Sequence, residues 1–154
     1  MSTTFSDLGV ADSLIKGLKA LEITHPTSIQ EKALPVILNQ KEDVVALAKT
    51  GTGKTAAFGL PLLQLIDVDN NDIQAVILAP TRELGQQIFK NLSDFAAFTP
   101  NVSIAAICGG IPIKPQIERL KEDTHIIVAT PGRLIDLLKR DALSIKNTNY
   151  LLLD

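Results

Sequence analysis

A glycine-rich stretch, Ala48-Lys49-Thr50-Gly51-Thr52-Gly53-Lys54-Thr55, lies between an apolar run and a segment with helical periodicity. Glycines let consecutive backbone N–H groups converge on phosphate oxygens, and a helix N-terminus favours negative charge. Lys54 can reach the β and γ phosphates, and the Thr55 hydroxyl can bind Mg²⁺. The usual pattern begins with glycine where Ala48 stands, a difference of one methyl group. The stretch predicts a site for a nucleoside triphosphate with magnesium.

The elements that must position this loop follow from the apolar pattern. Five short apolar runs without polar alternation predict strands that are buried on both faces of a parallel sheet. Helical segments between them give a β-α-β-α alternation, so we expect an α/β fold with an open, doubly wound, mostly parallel sheet flanked by helices. The strands are predicted at 44–47, 75–79, 102–107, 126–129 and 150–153, and the helices near 10–21, 29–37, 54–66, 82–98, 113–121 and 131–140.

Polar and glycine-bearing clusters follow each predicted strand. Because parallel strands all point the same way, their strand-to-helix turns lie at one edge of the sheet. We therefore expect a single crevice to hold all of these clusters. They are the 48–55 loop, Pro80-Thr81-Arg82-Glu83-Leu84, the pair Gly109-Gly110, Thr130-Pro131-Gly132-Arg133, and Asp154.

Composition limits the other classes of function. The chain has 154 residues, 45% of them hydrophobic, which is enough for a core. A net charge of -2 indicates no broad basic surface, so any contact with RNA must be local. The single cysteine, Cys108, excludes an internal disulfide and is expected to be a small apolar core residue. No apolar run is long enough to span a membrane and the first residues lack the layout of a signal peptide, so a cytoplasmic location is expected.

Taken in order, these motifs are similar to those of one family. Phe5 with Pro26-Thr27-Ser28-Ile29-Gln30 precedes the phosphate loop, and the 80–84, 109–110 and 130–133 motifs follow it. The chain resembles the first RecA-like domain of a DEAD-box ATP-dependent RNA helicase, and leans toward the bacterial DbpA-like ribosome-assembly branch. The resemblance implies a RecA-like P-loop NTPase domain with a helical Q-motif segment at 1–40 and an ATP-binding core at 41–154, in one structural domain.

One departure from the family concerns the end of the chain. Asp154 is the first residue of the family's Asp-Glu-Ala-Asp motif. The resemblance therefore implies a core that is truncated after its fifth strand, and a second RecA-like domain with arginine fingers elsewhere in a longer parent chain.

The resemblance assigns ATP and Mg²⁺ to particular residues. Phe5 would stack on adenine, and the Gln30 amide would pair with the adenine amino group and N7, which implies ATP over GTP. Two structural alternatives stay open: Gln30 forming a capping box with Thr27, and Phe5 filling the core. The implied ATP-binding residues are Phe5, His25, Gln30, Ala48, Lys49, Thr50, Gly51, Thr52, Gly53, Lys54 and Thr55; the implied catalytic set is Lys54, Thr55 and Asp154, with Thr55 and Asp154 at Mg²⁺.

The resemblance also implies a set of RNA contacts. Thr81 and Thr130 are equally ordinary helix N-caps, with Pro131 suited to the first helical position. Arg133 has Asp136 and Glu118 as alternative partners, and Glu83 is expected to pair with an arginine inside the domain. The implied RNA-binding residues are Pro80, Thr81, Arg82, Gly109, Gly110, Thr130, Pro131, Gly132 and Arg133.

The function that the resemblance implies is RNA-stimulated ATP hydrolysis coupled to local duplex unwinding by the parent protein. RNA is the expected partner, ribosomal RNA if the DbpA-like assignment holds, and the 154-residue piece alone is expected to be inactive. A non-enzymatic nucleotide- or RNA-binding module and a small-molecule P-loop kinase are the alternatives. A calcium loop at Asp67-x-Asp69-x-Asn71 is disfavoured because Asp72 stands where glycine is needed, so a surface turn is expected there.

Overall fold

The structure, a computed structural model, describes residues 3–39 and 43–154. Within these ranges the chain forms two compact units. Unit 1 runs to Leu65 and includes Asn91–Pro100, and unit 2 contains Ile66–Lys90 and Asn101–Asp154. The predicted boundary between residues 40 and 41 lies outside the described residues and stays a prediction.

Unit 1 is helical. In the first helix, Leu14 and Leu18 are spaced by four residues and are both buried, while Ala33 and Leu34 are the buried apolar residues of the second. The second helix packs against the third. The two helices predicted before the phosphate loop are thereby confirmed. The helices are α1 (Asp12–Ala20), α2 (Ser28–Leu38) and α3 (Lys54–Leu65).

Unit 2 contains a four-stranded parallel sheet in the order β2-β3-β1-β4. Strands and helices alternate along the chain, as the apolar pattern predicted. The strands are β1 (Ala75–Leu78), β2 (Ile104–Ile107), β3 (Ile126–Ala129) and β4 (Tyr150–Leu153); the helices are α4 (Arg82–Phe95), which continues into a 3-10 turn at Ala96–Phe98, α5 (Ile113–Arg119) and α6 (Pro131–Lys139).

Helices lie on both faces of this sheet. Ile127 and its same-face neighbours form a core cluster with Leu134 and Leu137 of α6 and with the apolar residues of α5. On the opposite face, a Cβ added at Gly85 of α4 would lie 4.0 Å from Val128 Cγ1. The chain crosses from β1 to β2 in one direction and returns through β3 to β4 in the other, so right-handed crossovers place α4 on one face and α5 and α6 on the other. The doubly wound α/β prediction is confirmed.

The predicted first strand, 44–47, is wrong. These residues form no strand, and Val45 and Leu47 are 90% and 92% exposed. A strand requires a neighbour to share its backbone hydrogen bonds, and none of the four described strands pairs with this run. The described sheet therefore has four strands, not five.

Candidate functional site

The glycine-rich loop has the backbone geometry that a phosphate site requires. Gly51 and Gly53 adopt φ values of 76° and 87°, in the left-handed region that favours glycine. The Ala57 N–H donates to the Gly53 carbonyl at 3.1 Å and closes the first turn of α3. The N–H groups before Ala57 in α3 therefore have no acceptor inside the helix. The turn and the helix start, predicted from the sequence, are both confirmed.

Side chains hold the carbonyl groups of this loop. The Thr27 hydroxyl donates to Thr52 O at 2.9 Å, and the Gln30 amide donates to Gly53 O at 3.0 Å. Within the loop, the Thr52 hydroxyl donates to Lys49 O at 2.7 Å. With three carbonyls engaged in this way, the loop conformation is set by the start of α2 as well as by its own glycines.

Gln30 forms the capping box that the sequence left open. Its Oε1 accepts the Thr27 backbone N–H at 2.9 Å at the start of α2. Because this bond requires an acceptor and the Gly53 carbonyl requires a donor, the two contacts fix which way the amide points. One lone pair of Oε1 and one hydrogen of Nε2 remain after both bonds are made.

Phe5 and His25 occupy different environments in unit 1. Phe5 is 3% exposed and belongs to the apolar core, which was the structural alternative for it. His25 is exposed, and its Nδ1 lies 3.0 Å from the Thr24 hydroxyl. Contact of either side chain with adenine stays a prediction.

Three of the predicted motifs meet at one edge of the sheet in unit 2. Gly109 donates its N–H to the Thr130 hydroxyl at 2.9 Å. The Arg82 guanidinium lies 3.5 Å from Gly110 O, and the Arg133 guanidinium donates to Ile111 O at 2.9 Å. The 108–111 loop is thus held by residues of the 80–84 and 130–133 motifs, as expected from parallel strands whose carboxyl ends share an edge.

The two threonines expected as helix caps behave differently. Thr81 accepts the Leu84 N–H at 3.2 Å at the start of α4, which confirms its capping role. Thr130 occupies the N-cap position of α6, but its side chain caps nothing and accepts from Gly109 instead. Pro131 is the first residue of α6, as predicted.

The acidic alternatives for Arg133 are already paired. Asp136 accepts from Arg140 at 2.8 Å, and Glu118 pairs with Lys121 at 2.8 Å. Glu83 pairs with Arg82 at 3.1 Å, as expected. A hydrogen bond from its own backbone N–H, together with the one from Arg82, lowers the pKa of Glu83. Glu83 is therefore a charged partner of Arg82.

Gln116 is a residue of this site that the sequence analysis missed. It lies on the buried face of α5, 6% exposed, and its Nε2 donates to Cys108 O at 3.0 Å. A glutamine between Ile113 and Ile117 on the apolar stripe of a helix was the available signal. Cys108 itself is 1% exposed, and burial raises the pKa of its thiol despite the opposing hydrogen bond from Thr130, so its core role is confirmed.

The remaining predicted residues also have defined positions. Asp154 extends the pairing of β4 with β1 by one residue, since its N–H donates to Leu78 O at 3.1 Å. Pro80 and Gly132 are exposed, and a Cβ added at Gly132 would meet open space. The phosphate loop belongs to unit 1, whereas Asp154 and the 108–111 loop belong to unit 2. The single crevice that would join them stays a prediction.

The sequence model of the DEAD/DEAH box helicase family matches residues 27–154. The chain belongs to this family. It is 41% identical over 150 residues to a probable ATP-dependent RNA helicase of Methanocaldococcus jannaschii, covering 97% of the chain and 40% of that relative. It is 41% identical over 152 residues to the DEAD-box ATP-dependent RNA helicase CshA of Geobacillus kaustophilus, covering 99% of the chain and 32% of CshA.

Solved structures agree. The crystal structure of a DEAD box protein from Methanococcus jannaschii is 40% identical with a TM-score of 0.91, and the match covers 98% of this chain and 41% of that one. Saccharomyces cerevisiae Dbp5 bound to RNA and ADP BeF3 is 33% identical with a TM-score of 0.89, and that match covers 99% and 38%. The predicted RecA-like helicase domain is confirmed. The chain spans about two fifths or less of the length of these relatives.

No described helix of this DEAD/DEAH box helicase domain has the length and apolar character needed to cross a membrane. The lean toward the DbpA-like branch stays a prediction, as do the roles of the individual site residues.

Proposed function

We propose that this domain binds ATP with Mg²⁺ and the RNA backbone, and that its parent protein couples RNA-stimulated ATP hydrolysis to local unwinding of duplexes. The main support for this proposal is the loop before α3. Two glycines in the left-handed backbone conformation precede N–H groups of the helix that have no acceptor within it. The relatives are ATP-dependent RNA helicases, which supports the same function for the parent.

Phosphate is the natural ligand for the start of α3. Lys54 is the first residue of the helix, where its charge opposes the positive end of the helix dipole unless an anion is present. We assign Lys54 to the β and γ phosphates and the Thr55 hydroxyl to Mg²⁺, and Asp154 would be the acidic Mg²⁺ partner. A bound Mg²⁺ would neutralise phosphate charge in this arrangement.

Adenine recognition by Gln30 is compatible with its capping role. The spare lone pair of Oε1 suits the adenine amino group, and the spare hydrogen of Nε2 suits N7. Guanine offers an acceptor where adenine has the amino donor, so the fixed amide disfavours GTP. Because Gln30 is only 3% exposed, the base must reach a nearly covered amide edge.

RNA is proposed to bind at the sheet edge of unit 2. The Arg82 and Arg133 side chains supply positive charge beside the 108–111 loop. The exposed residues Pro80 and Gly132 leave room for a phosphate backbone next to the starts of α4 and α6. Dbp5, which contains a domain of the same fold, was solved bound to RNA, and this supports the assignment.

The test of nucleotide binding is calorimetry of this chain with ATP and with GTP, each with Mg²⁺. The expected result is a preference for ATP of about 1–3 kcal/mol, the discrimination of one bidentate pair. Lys54→Ala should abolish binding, whereas Lys139→Ala, which alters an exposed lysine on α6, should not. Equal affinity for ATP and GTP would refute the adenine assignment.

The activity is tested on the full-length parent. Lys54→Ala should remove both RNA-stimulated ATPase activity and duplex unwinding. Phosphorylation of a small molecule without RNA would support a kinase instead. We expect the 154-residue chain alone to show negligible ATP turnover.

We propose that the parent protein is located in the cytoplasm. Its proposed partners are ribosomal RNA and a second RecA-like domain of the same chain.

A further inference from the structure

The 108–111 loop is held at each of its four residues by a side chain from elsewhere in unit 2. Thr130, Arg82 and Arg133 hold Gly109, Gly110 and Ile111. The fourth support is Gln116, which lies outside the 80–84, 109–110 and 130–133 motifs and donates to Cys108 O.

Gln116 and Thr130 hold two ends of the same peptide group. The carbonyl of this group belongs to Cys108 and accepts from Gln116 at 3.0 Å, while its N–H belongs to Gly109 and donates to Thr130 at 2.9 Å. Rotation of this peptide plane would break both bonds. Gly109 and Gly110 come directly after Cys108, and Gly110 has a φ of 78°. Glycine allows many backbone conformations, so fixing the orientation of this peptide plane selects one conformation of the loop.

Only the donor half of the Gln116 amide has a partner in the ranges that the structure describes. The Gln116 Oε1 is buried and has no partner among the described residues. An unsatisfied buried acceptor costs free energy, and an apolar side chain of similar volume would avoid that cost but would leave Cys108 O without this donor. The benefit of the amide must therefore come from its donor, which acts on the loop.

Arg133, which also holds the loop, has a buried polar atom without a hydrogen-bond partner among the described residues. The Nη1 of Arg133 is buried without a partner in the described part of the chain, while Nη2 of the same side chain holds Ile111 O. A phosphate oxygen of RNA could supply the acceptor that Nη1 lacks once the Arg133 side chain turns this atom outward. Arg133 therefore has one donor that no described acceptor uses.

We propose that Gln116 is a positioning residue for RNA: it fixes the peptide between Cys108 and Gly109 so that the glycine turn and Arg133 meet the phosphate backbone in one geometry. This inference rests on the proposed function. It concerns RNA affinity alone, because the phosphate loop for ATP belongs to the other unit.

The test is an NMR titration of the ¹⁵N-labelled chain with a short oligouridine RNA, which detects weak binding. Gln116→Met conserves volume and removes both the donor and the unsatisfied acceptor. Its dissociation constant for RNA should rise about fivefold, the factor that corresponds to one net hydrogen bond. The urea midpoint should change little, because removing the unsatisfied Oε1 offsets the loss of the donor to Cys108 O. The matched control is Gln87→Met on the exposed face of α4, which should change neither quantity.

Gln116→Glu gives a readout that a purely structural role would not move. As a carboxylate the new side chain cannot donate to Cys108 O, and RNA binding should weaken at about pH 7.5. Burial raises the pKa of the introduced carboxyl, so it becomes protonated and donates again as the pH is lowered from about 7.5 toward about 5. Affinity should then recover toward that of the wild type measured at the same pH.

The outcomes separate the two proposals. If the wild-type chain shows no RNA-dependent shifts, the proposed RNA-binding function fails and the inference falls with it. If the wild type binds and Gln116→Met binds equally well, or if Gln116→Glu shows no recovery at low pH, the positioning role alone is overturned. If Gln116→Met fails to fold, the pH response of Gln116→Glu decides.

Discussion

At the scale of single residues, several side chains here carry more than one contact. Gln30 caps α2 and holds the phosphate loop, and Thr130 begins α6 while holding Gly109. Gln30 makes both its local capping bond and its long-range bond, whereas the Thr130 side chain makes only the long-range one. A capping signature therefore does not exclude a role at the site, because amides and hydroxyls have more than one bonding position.

Gly53 and Gly51 provide a matched pair for testing the loop. Alanine at either position is strained by the left-handed backbone, by about 1–2 kcal/mol. A Cβ at Gly53 would also collide with the Gln30 amide, whereas at Gly51 it would meet open space. Gly53→Ala should therefore lower the free energy of unfolding, measured in urea, by more than Gly51→Ala. Equal effects would contradict the role of Gln30 in holding the loop.

The Cys108 thiol should respond to pH in one direction. Burial raises its pKa in the folded chain, so its stabilising contribution is complete below the pKa of the unfolded thiol and is lost as pH rises through the folded value. Between about pH 7 and pH 9.5 the wild type should lose more thermal stability than Cys108→Ala does. The check is calorimetric melting of both proteins at each pH. If the melting temperatures of the two proteins fell equally with pH, the raised pKa of the buried Cys108 thiol would be contradicted.

At the scale of elements, glycine permits close approach of backbones in unit 1. A Cβ at Gly17 of α1 would collide with the Phe95 carbonyl at the end of α4, and a Cβ at Gly59 of α3 would lie 2.6 Å from Leu92 Cδ2. The Phe95 carbonyl belongs to the backbone and cannot move without its neighbours. Leu92 Cδ2 is the end of a flexible side chain and can move by itself.

This difference predicts the order of two substitutions. Gly17→Ala should reduce the free energy of unfolding by about 1–3 kcal/mol, as overpacking does, even after the gain in helix propensity. Gly59→Ala should cost less, because Leu92 can change rotamer. Chemical denaturation followed by far-UV circular dichroism measures both. A larger cost at Gly59 would show that the approach of α1 to Phe95 is looser than the structure has it.

At the scale of the whole molecule, the described sheet has an unpaired strand edge. β4 pairs with β1 on one side, and no other described strand pairs with it. Leu151 and Leu153 on this strand are 67% and 73% exposed. An exposed apolar edge strand is a template for pairing with another chain.

We expect the isolated chain to self-associate through this edge. The double substitution Leu151→Lys and Leu153→Lys should reduce concentration-dependent association in sedimentation velocity, because like charges repel across the paired edges. Ile135→Lys, at an exposed position on α6, is the control and should have little effect. A wild-type chain that stays monomeric at high concentration would refute the expectation.

The sequence by itself determined the phosphate loop, the alternation of strands and helices, the meeting of the 80–84, 109–110 and 130–133 motifs at one edge, and the resemblance to the family. These depend on residue type, local spacing and the constant direction of parallel strands. Tertiary structure alone decided that 44–47 is not a strand, that Thr130 binds Gly109 rather than capping, and that Gln116 supports the loop. Strand pairing requires a neighbour in space, and a side chain with several bonding positions takes whichever partner the fold brings near, so neither outcome is encoded in local periodicity.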